Sequence, residues 1–340
     1  MHDLMNDLAK IVAGEYCFRF KGKDPHELTS KTRYFSWVVT KQKLPDQLLA
    51  ITKPQLWRTF ITVYRSQLQS QCIAHLLTPG MFKTLERLRL LSLSRFENLY
   101  MLPNSIGCLK HLHYLDLSRT AICRLPESLC SLYNLETLKL ENCFLLDELP
   151  TKLAKLVNMC HLDIRETRLQ EMPPHMGKLI KLQKLTDFLV GKQGGSNFKE
   201  LGKLLHIGGS LSIWNLRDVK HTQYACEANL KSKKHLKELT LEWKENTNDT
   251  MHDNAVLGGL QPHPDVERIS LYGYGGMSFP DWLGDWCFTK LVSLELAGCQ
   301  HCLSLPQLGH MVSLKYLTIR EFNELVVIDD EFLENAHLPH

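Results

Sequence analysis

The chain has 340 residues, of which 44% are hydrophobic, and its 40 Lys and Arg against 37 Asp and Glu give a formal net charge of +3. This balance does not indicate a polycationic nucleic-acid-binding protein, and no apolar run is long enough for a transmembrane segment. The amino terminus has no pattern of a secretion signal. We therefore expect a cytoplasmic protein with eleven reduced cysteines and with no nucleic-acid partner.

The first predicted element is a short amino-terminal helix. Asp3 is a good N-cap residue, and Leu4, Leu8 and Ile11 follow it with helical spacing. Further along, "TRYFSWVV" (32–39) and "WRTFITVY" (57–64) predict two irregular strands that cap the open end of a repeat array.

The array itself begins at Leu85. Related segments start at Leu85, Leu109, Leu132, Leu156 and Leu179, spaced by 23 or 24 residues, and "LETLKLENCFL" (135–145) fits the pattern L-x-x-L-x-L-x-x-N/C-x-L at every position. The spacing predicts that Leu138 and Leu140 point into the stack, whereas Lys139 points outward from a strand. Cys143 then closes the turn as a buried ladder residue.

The second half of each repeat predicts the return segment. "LPNSIGCL" (102–109), "LPESLCSL" (125–132), "LPTKLAKL" (149–156) and "MPPHMGKL" (172–179) each place proline where a short helix or 3-10 turn begins. The predicted fold is therefore an α/β leucine-rich repeat solenoid, with parallel strands on the concave face and short helices or 3-10 turns on the convex face.

The repeats continue to "MVSLKYLTI" (311–319) with longer excursions. Two of these, "GKQGGSNFKE" (191–200) and "KENTNDTMHDN" (244–254), are rich in Gly, Asn and charge, and we expect surface loops. The second contains Met251-His252-Asp253, to which we assign no role.

No motif predicts an enzyme. The phosphate-binding, zinc-protease and serine-hydrolase motifs are absent from the sequence. Cys299 and Cys302 have the spacing of metal ligands, but no second pair lies at a matching distance and the repeat register accounts for Cys299, so we predict no metal site.

The chain resembles the coiled-coil class of plant intracellular disease resistance proteins, in which a nucleotide-binding (NB-ARC) switch precedes leucine-rich repeats. The resemblance rests on the order of "MHDLMNDLA", "TRYFSW", "WRTF", "LTDFLVGKQGG", "LQPHPDVERISLYGYGG", "FPDWLGD" and "LPQLGHM". It implies that residues 1–22 are the helical remnant of a winged-helix domain, that 23–84 form a linker with irregular repeats, and that 85–340 form the leucine-rich repeat domain.

The Met1-His2-Asp3 triplet gains a role through this resemblance. In the family the histidine approaches the β-phosphate of bound ADP, which implies that His2, with Asp3, would contact ADP in a full-length receptor. The phosphate-binding loop and metal-binding acid of the family lie upstream of the triplet. We therefore expect no bound cofactor in this chain alone and interpret Met1 as an internal methionine of a longer receptor.

The resemblance also implies a function in plant defence. The repeats would recognise a pathogen effector or a guarded host protein and would hold the nucleotide-binding domain inactive by an intramolecular contact. The candidate contact residues are the outward-pointing positions of predicted strands: Tyr114, Asp116, Lys139, Glu141, His161, Asp163, Arg165, Glu238, Glu242, Arg268, Tyr272, Tyr316 and Arg320.

Two alternatives belong to other classes. An extracellular leucine-rich receptor ectodomain would show a signal peptide and many N-glycosylation sites, whereas Asn248-Asp249-Thr250 is the only such site in the sequence. A leucine-rich repeat adaptor of a ubiquitin ligase would need an amino-terminal helical docking domain, whereas residues 1–80 are largely strand-like after the first helix.

Overall fold

The computed structural model of the protein describes residues 14–20, 30–39, 56–64, 79–191, 198–243 and 250–326. The chain forms two compact units, Met1–Arg168 and Leu169–His340. Both units contain parallel strands in sequence order joined by short helices and 3-10 segments, as the repeat pattern predicts.

Seven strands of the first unit form one parallel sheet in which each strand pairs with the next along the chain. They are β1 (Cys17–Phe20), β2 (Tyr34–Val39), β3 (Thr59–Tyr64), β4 (Leu90–Ser92), β5 (Tyr114–Asp116), β6 (Thr137–Lys139) and β7 (His161–Asp163). Helix α1 (Pro79–Thr84) precedes β4.

Leucine rows form the core of this unit because side chains alternate across a strand. Leu115, Leu138 and Leu162 are paired in register along the sheet, and none of them is exposed to solvent. Each leucine covers its counterpart in the next repeat, so the apolar face of one repeat is buried by its neighbours.

Aromatic side chains replace the leucines near the amino terminus. Phe35 stacks on Trp57 with ring centroids 4.3 Å apart, and Phe60 lies 5.4 Å from Phe35. The predicted strands in 32–39 and 57–64 are confirmed as β2 and β3. Strand β1 was not predicted. It lies within the range 1–22 assigned to the winged-helix remnant, yet its four residues pair with β2 in the repeat sheet.

A left-handed residue ends each outward bend after β4 to β7. The φ angles of Arg95, Arg119, Asn142 and Glu166 lie between 55° and 66°. The next position holds the ladder residue. Cys143 is buried there as predicted, and Phe96 and Thr120 are buried at the equivalent positions. The Cys143 thiol donates a hydrogen bond to the carbonyl oxygen of Leu117 at 3.1 Å, which ties the turn to the preceding repeat.

The return segments of this unit are 3-10 helices, as expected: Asn104–Cys108, Glu127–Ser131 and Leu153–Lys155. Pro103 and Pro126 are the cap residues immediately before the first two, with extended backbone angles. Each proline is therefore the residue immediately before the 3-10 helix and not its first residue. The extended backbone at this position is compatible with the fixed φ of proline.

The second unit contains β8 (Lys184–Leu185) and a six-stranded parallel sheet. The sheet strands are β9 (Asp187–Leu189), β10 (Gly208–Trp214), β11 (His235–Glu242), β12 (Arg268–Tyr272), β13 (Ser293–Ala297) and β14 (Tyr316–Arg320). Its α-helices in the described residues are α2 (Phe198–Gly202), α3 (Gln223–Glu227) and α4 (Thr250–Gly259), with 3-10 segments at Met176–Lys178, Leu216–Asp218, Leu230–Ser232 and Asp281–Gly284.

The two predicted surface loops of this unit are wrong in part. Residues 198–200 of the first lie in helix α2, which forms because Phe198 and Leu201 are both buried in the core. The end of the second, together with the residues after it, forms helix α4, in which Val256 and Leu257 are buried. Residues 192–197 and 244–249 of these loops lie outside the described residues.

Glycine occupies the left-handed bend after two strands of the second unit. Gly273 has a φ of 68°, and a Cβ atom at this position would meet the backbone carbonyl oxygen of Trp243. The equivalent Gly298 has a φ of 70°. At Gly273 it is the close approach of the neighbouring repeat that leaves no room for a side chain, and glycine adopts the left-handed conformation without strain.

Candidate functional site

The outward rows of the two sheets carry the candidate contact residues. In the first unit, the register places Tyr114 beside Thr137, and Thr137 beside His161. The next outward row runs from Asp116 through Lys139 to Asp163. The register therefore places these residues on the outward side of the sheet, because every second residue of a strand shares a face.

Asp163 and Arg165 form the best-defined contact of this surface. Arg165 donates to the Asp163 carboxylate from Nε at 3.0 Å and from Nη2 at 2.7 Å, and its Nη2 lies 3.6 Å from Glu141. Asp163 is only 9% exposed. Burial raises the pKa of its carboxyl, but the hydrogen bonds and charge of Arg165, with the charge of Lys139, outweigh burial and lower the pKa overall.

Asp116 is held by the backbone and by a neighbouring repeat. Its carboxylate accepts a hydrogen bond from the backbone N–H of Ser118 at 3.0 Å and one from the Ser92 hydroxyl at 3.3 Å. Partial burial, together with the Asp116 charge, raises the pKa of Tyr114. Tyr114 thus stays a neutral hydrogen-bonding phenol at physiological pH.

His161 is tied to the adjacent strand. Its Nδ1 lies 3.2 Å from the Thr137 hydroxyl, at the register-matched position of β6. This contact links the outward side chains of β6 and β7.

An ion pair links the first outward row of the second unit. Arg268 Nη1 donates to Glu238 at 2.5 Å, and the register pairs the two residues directly across β11 and β12. Glu242 and Tyr272 face each other four residues further along the same strands. These candidates therefore lie on one face, as predicted.

The middle outward row of this unit was missed by the sequence analysis. Glu295 accepts a hydrogen bond from the Tyr272 hydroxyl at 2.9 Å and lies 3.5 Å from Arg320 Nη2, so it joins two predicted residues. Burial and this carboxylate raise the pKa of Tyr272. Glu295 stands between Leu294 and Leu296 as Lys139 stands between Leu138 and Leu140, so the repeat pattern contained the signal.

Strand β14 carries the most exposed candidates. Tyr316 is 66% exposed, and Arg320 is also exposed. Tyr316 is paired in register with Ser293 and Arg320 with Ala297. Exposed tyrosine and arginine side chains are both typical of residues that dominate protein interfaces.

Cys299 and Cys302 have the spacing of metal ligands in the sequence. In the described part of the chain, no group of three or more His, Cys, Asp or Glu side chains could hold a metal ion. Cys299 and Cys302 are both fully buried, and the Cys302 thiol donates to the Gly276 carbonyl oxygen at 3.0 Å. Its hydrogen bond with Cys299, together with burial, raises the pKa of Cys302. A protonated, buried thiol is a poor nucleophile and a poor metal ligand.

The structure describes only the second of the two Met-His-Asp triplets. His2 and Asp3 lie outside the described residues. The second triplet was assigned to a polar loop, and this is wrong, because it lies in α4 with Asp253 buried. His252 Nε2 is 2.8 Å from the Val219 carbonyl oxygen, so this triplet attaches the helix to the preceding repeat.

Among the described residues, no helix combines the length and the apolar character needed to cross a bilayer.

Comparison with curated proteins identifies close relatives over most of the chain. The chain is 39% identical over 98% of its length to a putative disease resistance protein of Arabidopsis thaliana, and 38% identical over 94% to the putative disease resistance RPP13-like protein 1 of the same plant. It is 38% identical over 72% to the putative disease resistance protein RGA4 of Solanum bulbocastanum. The chain spans only 24%, 31% and 24% of the lengths of these relatives.

Two further comparisons concern the repeats. A family model described as R13L1/DRL21 LRRs matches residues 198–322. A leucine-rich repeat protein of Leptospira interrogans, 18% identical, aligns over 92% of this chain and 86% of its own with a TM-score of 0.55. TLR13, in the crystal structure of its complex with ssRNA13, is 17% identical and aligns over 95% of this chain and 49% of its own with a TM-score of 0.58. At these identities the two structures show the fold alone. The chain is therefore a leucine-rich repeat protein that belongs, by homology over nearly its whole length, with the plant disease resistance proteins.

Proposed function

We propose that the chain is the recognition and autoinhibition segment of an intracellular plant immune receptor, acting without catalysis. The observation that carries this proposal is the 39% identity to a putative disease resistance protein over 98% of the chain. The outward rows support a role in binding another protein, since they present tyrosine, arginine and carboxylate side chains on a regular surface.

The ion pairs of these rows bear on how recognition would work. The Asp163–Arg165 and Glu238–Arg268 pairs are hydrogen-bonded within the sheet, so their charges are held in fixed positions before any partner arrives. Preorganised side chains lose less conformational entropy on binding than free ones. The proposed partner is a pathogen effector or a guarded host protein with complementary charges.

The second part of the proposal concerns the resting state. In a full-length receptor, the amino-terminal end of this chain would contact the nucleotide-binding domain in the cytoplasm, and His2 with Asp3 would contact the phosphates of ADP. The resemblance of the first triplet to the family motif supports this part. The ADP-bound form would then be the inactive form, because a ligand favours the state that binds it better.

The alternatives are less well supported. The matched relatives are named as disease resistance proteins, and none of those reported above is named as a receptor ectodomain or as a ubiquitin-ligase adaptor.

A chimeric receptor tests the recognition role. The chain would replace the matching 329-residue region of the RPP13-like protein 1, and the chimera would be expressed in leaves with a panel of pathogen strains. We expect Lys139→Glu with Arg268→Glu to change which strains trigger cell death while the chimera accumulates normally. Lys152→Glu with Lys155→Glu, which changes two exposed lysines at the 3-10 segment Leu153–Lys155, is the matched control. An identical strain profile for both variants would contradict a recognition role for the outward rows.

A further inference from the structure

Three neighbouring apolar side chains are exposed on the second unit, where the chain leaves β12, β13 and β14. Met277 is 49% exposed, Leu303 37% and Val326 77%. The backbone N–H of Leu303 donates to the carbonyl oxygen of Met277 at 2.9 Å, and that of Val326 donates to the carbonyl oxygen of Leu303 at 3.0 Å. The three residues are therefore direct neighbours, and we call them the apolar stripe.

The repeat pattern does not by itself produce this stripe. Met277 and Leu303 each lie three residues before a proline, and Tyr100, Cys123 and Asp147 occupy this position in the first unit. There the stripe is interrupted by charges, because Arg124 lies 3.2 Å from Glu148 and 3.9 Å from Asp147. An exposed apolar residue in successive repeats is thus a particular feature of the second unit.

A cleft of about 290 Å³ lies beside the apolar stripe. Its lining includes Ser278 and Ser304, the residues that directly follow Met277 and Leu303. The volume is at the lower end of the range for ligand pockets, so the cleft can accept a side chain of a partner more readily than a large cofactor. Two successive repeats supply the rest of the lining used below: Phe279, Pro280 and Asp281 from one, and Leu305, Pro306 and Gln307 from the next.

Hydrogen bonds hold one wall of the cleft in place. Asn254 of α4 donates from Nδ2 to the carbonyl oxygen of Ser278 at 2.9 Å and to its hydroxyl at 3.1 Å. The Tyr274 hydroxyl donates to the same carbonyl oxygen at 2.7 Å. Trp282 Nε1 donates to the carbonyl oxygen of Leu257 at 3.1 Å. The cleft is therefore formed before any partner arrives, which lowers the entropy cost of binding.

The part of the chain around the cleft is acidic. Residues 250–326 contain eight acidic residues and four basic ones. The basic residue Lys315 lies immediately before β14, whereas the apolar stripe follows the strands. The other three basic side chains lie within ion-pair distance of acids: Arg268 of Glu238, Lys290 of Asp265 and Arg320 of Glu295.

Asp281 lies at the cleft without a cationic partner. It begins the 3-10 segment Asp281–Gly284, it is exposed, and within the described ranges it forms no ion pair. His301, two residues before Leu303, has its Nδ1 3.6 Å from a second carboxylate, that of Glu324. An exposed carboxylate next to an apolar cleft is complementary to a basic group that carries an apolar neighbour.

Basic residues of earlier repeats lie beyond this area. The charge of Lys231 reaches the Cys287 thiol, six residues after Asp281. Helix α4 separates Lys220 from Ser278, because its side chains bind the backbone on both sides. The acidic area around the cleft is therefore bounded.

We propose that the apolar stripe and its cleft dock a basic segment of another protein, with an apolar side chain of that segment in the cleft and a lysine or arginine beside Asp281. Methionine is enriched in protein interfaces. The acidic surroundings repel both an anionic bilayer and a nucleic acid. This surface lies outside the outward rows and does not depend on the recognition role proposed above.

The expected changes in affinity follow from the chemistry of the two parts. A partner that covers Met277 and Leu303 buries apolar area, so replacing both with serine should weaken binding by at least about tenfold. An exposed ion pair contributes up to about fivefold. Reversing the charge of Asp281 also adds a repulsion, so Asp281→Lys should weaken binding by about fivefold to twentyfold.

Selection from a phage-displayed library of random nonapeptides on the purified 340-residue chain tests the proposal. Counter-selection on the folded Met277→Ser, Leu303→Ser chain removes peptides that bind elsewhere. We expect the retained peptides to carry lysine or arginine next to an apolar residue. Fluorescence polarisation of one retained peptide, synthesised with a label, then measures the loss in Asp281→Lys. Exchanging the basic residue of the peptide for glutamate should restore its binding to Asp281→Lys.

The matched controls make the same changes on the first unit and elsewhere on the second. Val157→Ser with Ile180→Ser removes two exposed aliphatic side chains, and Glu86→Lys reverses one exposed charge, and both should bind the peptide within about twofold of the wild type. Circular dichroism and thermal melting verify folding. Val326→Ser, at the most exposed position of the stripe, replaces the double variant if that chain is unfolded.

Four results would overturn the proposal. They are the absence of retained peptides, retained peptides without a basic residue, a peptide affinity that Asp281→Lys leaves unchanged, and an equal loss in the controls. Stripe-dependent binding of phosphatidylserine vesicles or of a single-stranded oligonucleotide would overturn it as well, because the occupant would then be a lipid or a nucleic acid.

Discussion

The ammonium group of Lys233 donates a hydrogen bond of 2.9 Å to the carbonyl oxygen of Leu204, the residue at the equivalent position of the preceding repeat. This position holds a buried leucine in six other repeats, Leu85, Leu109, Leu132, Leu156, Leu179 and Leu204. Lys233 is itself fully buried, and burial lowers its pKa to about 8. A lysine thus replaces a core leucine, and backbone carbonyl oxygens accept the hydrogen bonds of its amine.

The Lys233→Met variant tests the cost of this buried charge. The folded pKa of about 8 lies below the ordinary value of 10.5, so the unfolded chain binds more protons between these two values. The free energy of unfolding of the wild type should therefore rise relative to that of Lys233→Met as pH increases from 7 to about 10, by about 2 kcal/mol. Urea denaturation of both proteins at the two pH values measures this change.

Comparison with the variant removes the contribution of other titrating groups, since these are common to both proteins. A matched substitution at an exposed lysine, Lys234→Met, is the control for the loss of one lysine at the surface. If the free energies of unfolding of the wild type and Lys233→Met differ by the same amount at both pH values, burial does not lower the pKa of the Lys233 amine.

The repeat register predicts that substitutions at adjacent residues differ greatly in their effect on the free energy of unfolding. Leu138 is fully buried, and Leu138→Ala should lower the free energy of unfolding by about 2–5 kcal/mol, as a large-to-small change in a core does. Lys139→Ala on the outward row should change it by no more than about 0.5 kcal/mol. Denaturant titration of both variants distinguishes the faces, and equal losses would show that the register is wrong.

The Asp163–Arg165 pair should stabilise the protein only while the carboxyl is ionised. Because the folded pKa of Asp163 lies below its ordinary value of 3.8, the stabilisation is complete above that value and is lost as pH falls through the lower folded pKa. Arg165 is half exposed, so solvent screening limits the coupling to about 1 kcal/mol at pH 7. A double-mutant cycle with Asp163→Asn and Arg165→Ala measures it, and a coupling that persists well below the folded pKa would refute the ionic description.

We expect the cysteine pair of the second unit to bind no metal and to react slowly. Since Cys299 and Cys302 are buried and the Cys302 thiol is held protonated, we predict no stoichiometric metal in the purified protein and slow reaction with thiol reagents under native conditions. Elemental analysis and thiol titration in native and denaturing buffer check this. One equivalent of zinc in the wild type, lost in Cys302→Ser, would disprove it.

The first Met-His-Asp triplet leads to a prediction about nucleotides. A polyphosphate site needs backbone donors, a lysine and a metal-binding acid together, so we expect no measurable ADP or ATP affinity for this chain in calorimetry. In a full-length receptor, Asp3→Val should weaken the ADP-bound resting state and cause signalling without a pathogen. The same substitution in the isolated chain should change nothing. Micromolar ADP binding by the chain, or an unchanged resting state in the receptor, would show that the triplet has been misinterpreted.

Much of the architecture was predictable because the repeat is a local pattern. The spacing of Leu115, Leu138 and Leu162 and the alternation around each one determine which residues face the core and which face outward. Tyr114, Lys139 and Arg268 were therefore placed correctly. The same rule would have found Glu295, had it been applied to the middle outward row of the second unit.

Other features depend on contacts between residues that are far apart in sequence, which a local pattern does not predict. Strand β1 forms because Phe20 and its neighbours pair with β2 across a sequence gap, and helices α2 and α4 form because Phe198, Val256 and Leu257 are buried by adjacent repeats. Composition alone indicated polar loops in both of those regions.

The amino-acid sequence by itself thus determined the repeat period, the parallel strands and the side from which each outward side chain projects, because these follow from the two-residue alternation of a strand. Only the tertiary structure decided which charged groups meet. Lys233 and Leu201 are 32 residues apart, Arg268 and Glu238 are 30 apart, and Glu295 and Tyr272 are 23 apart. These contacts form because each repeat is stacked on the next. The number of residues between the two partners depends on the length of the segment that connects their repeats.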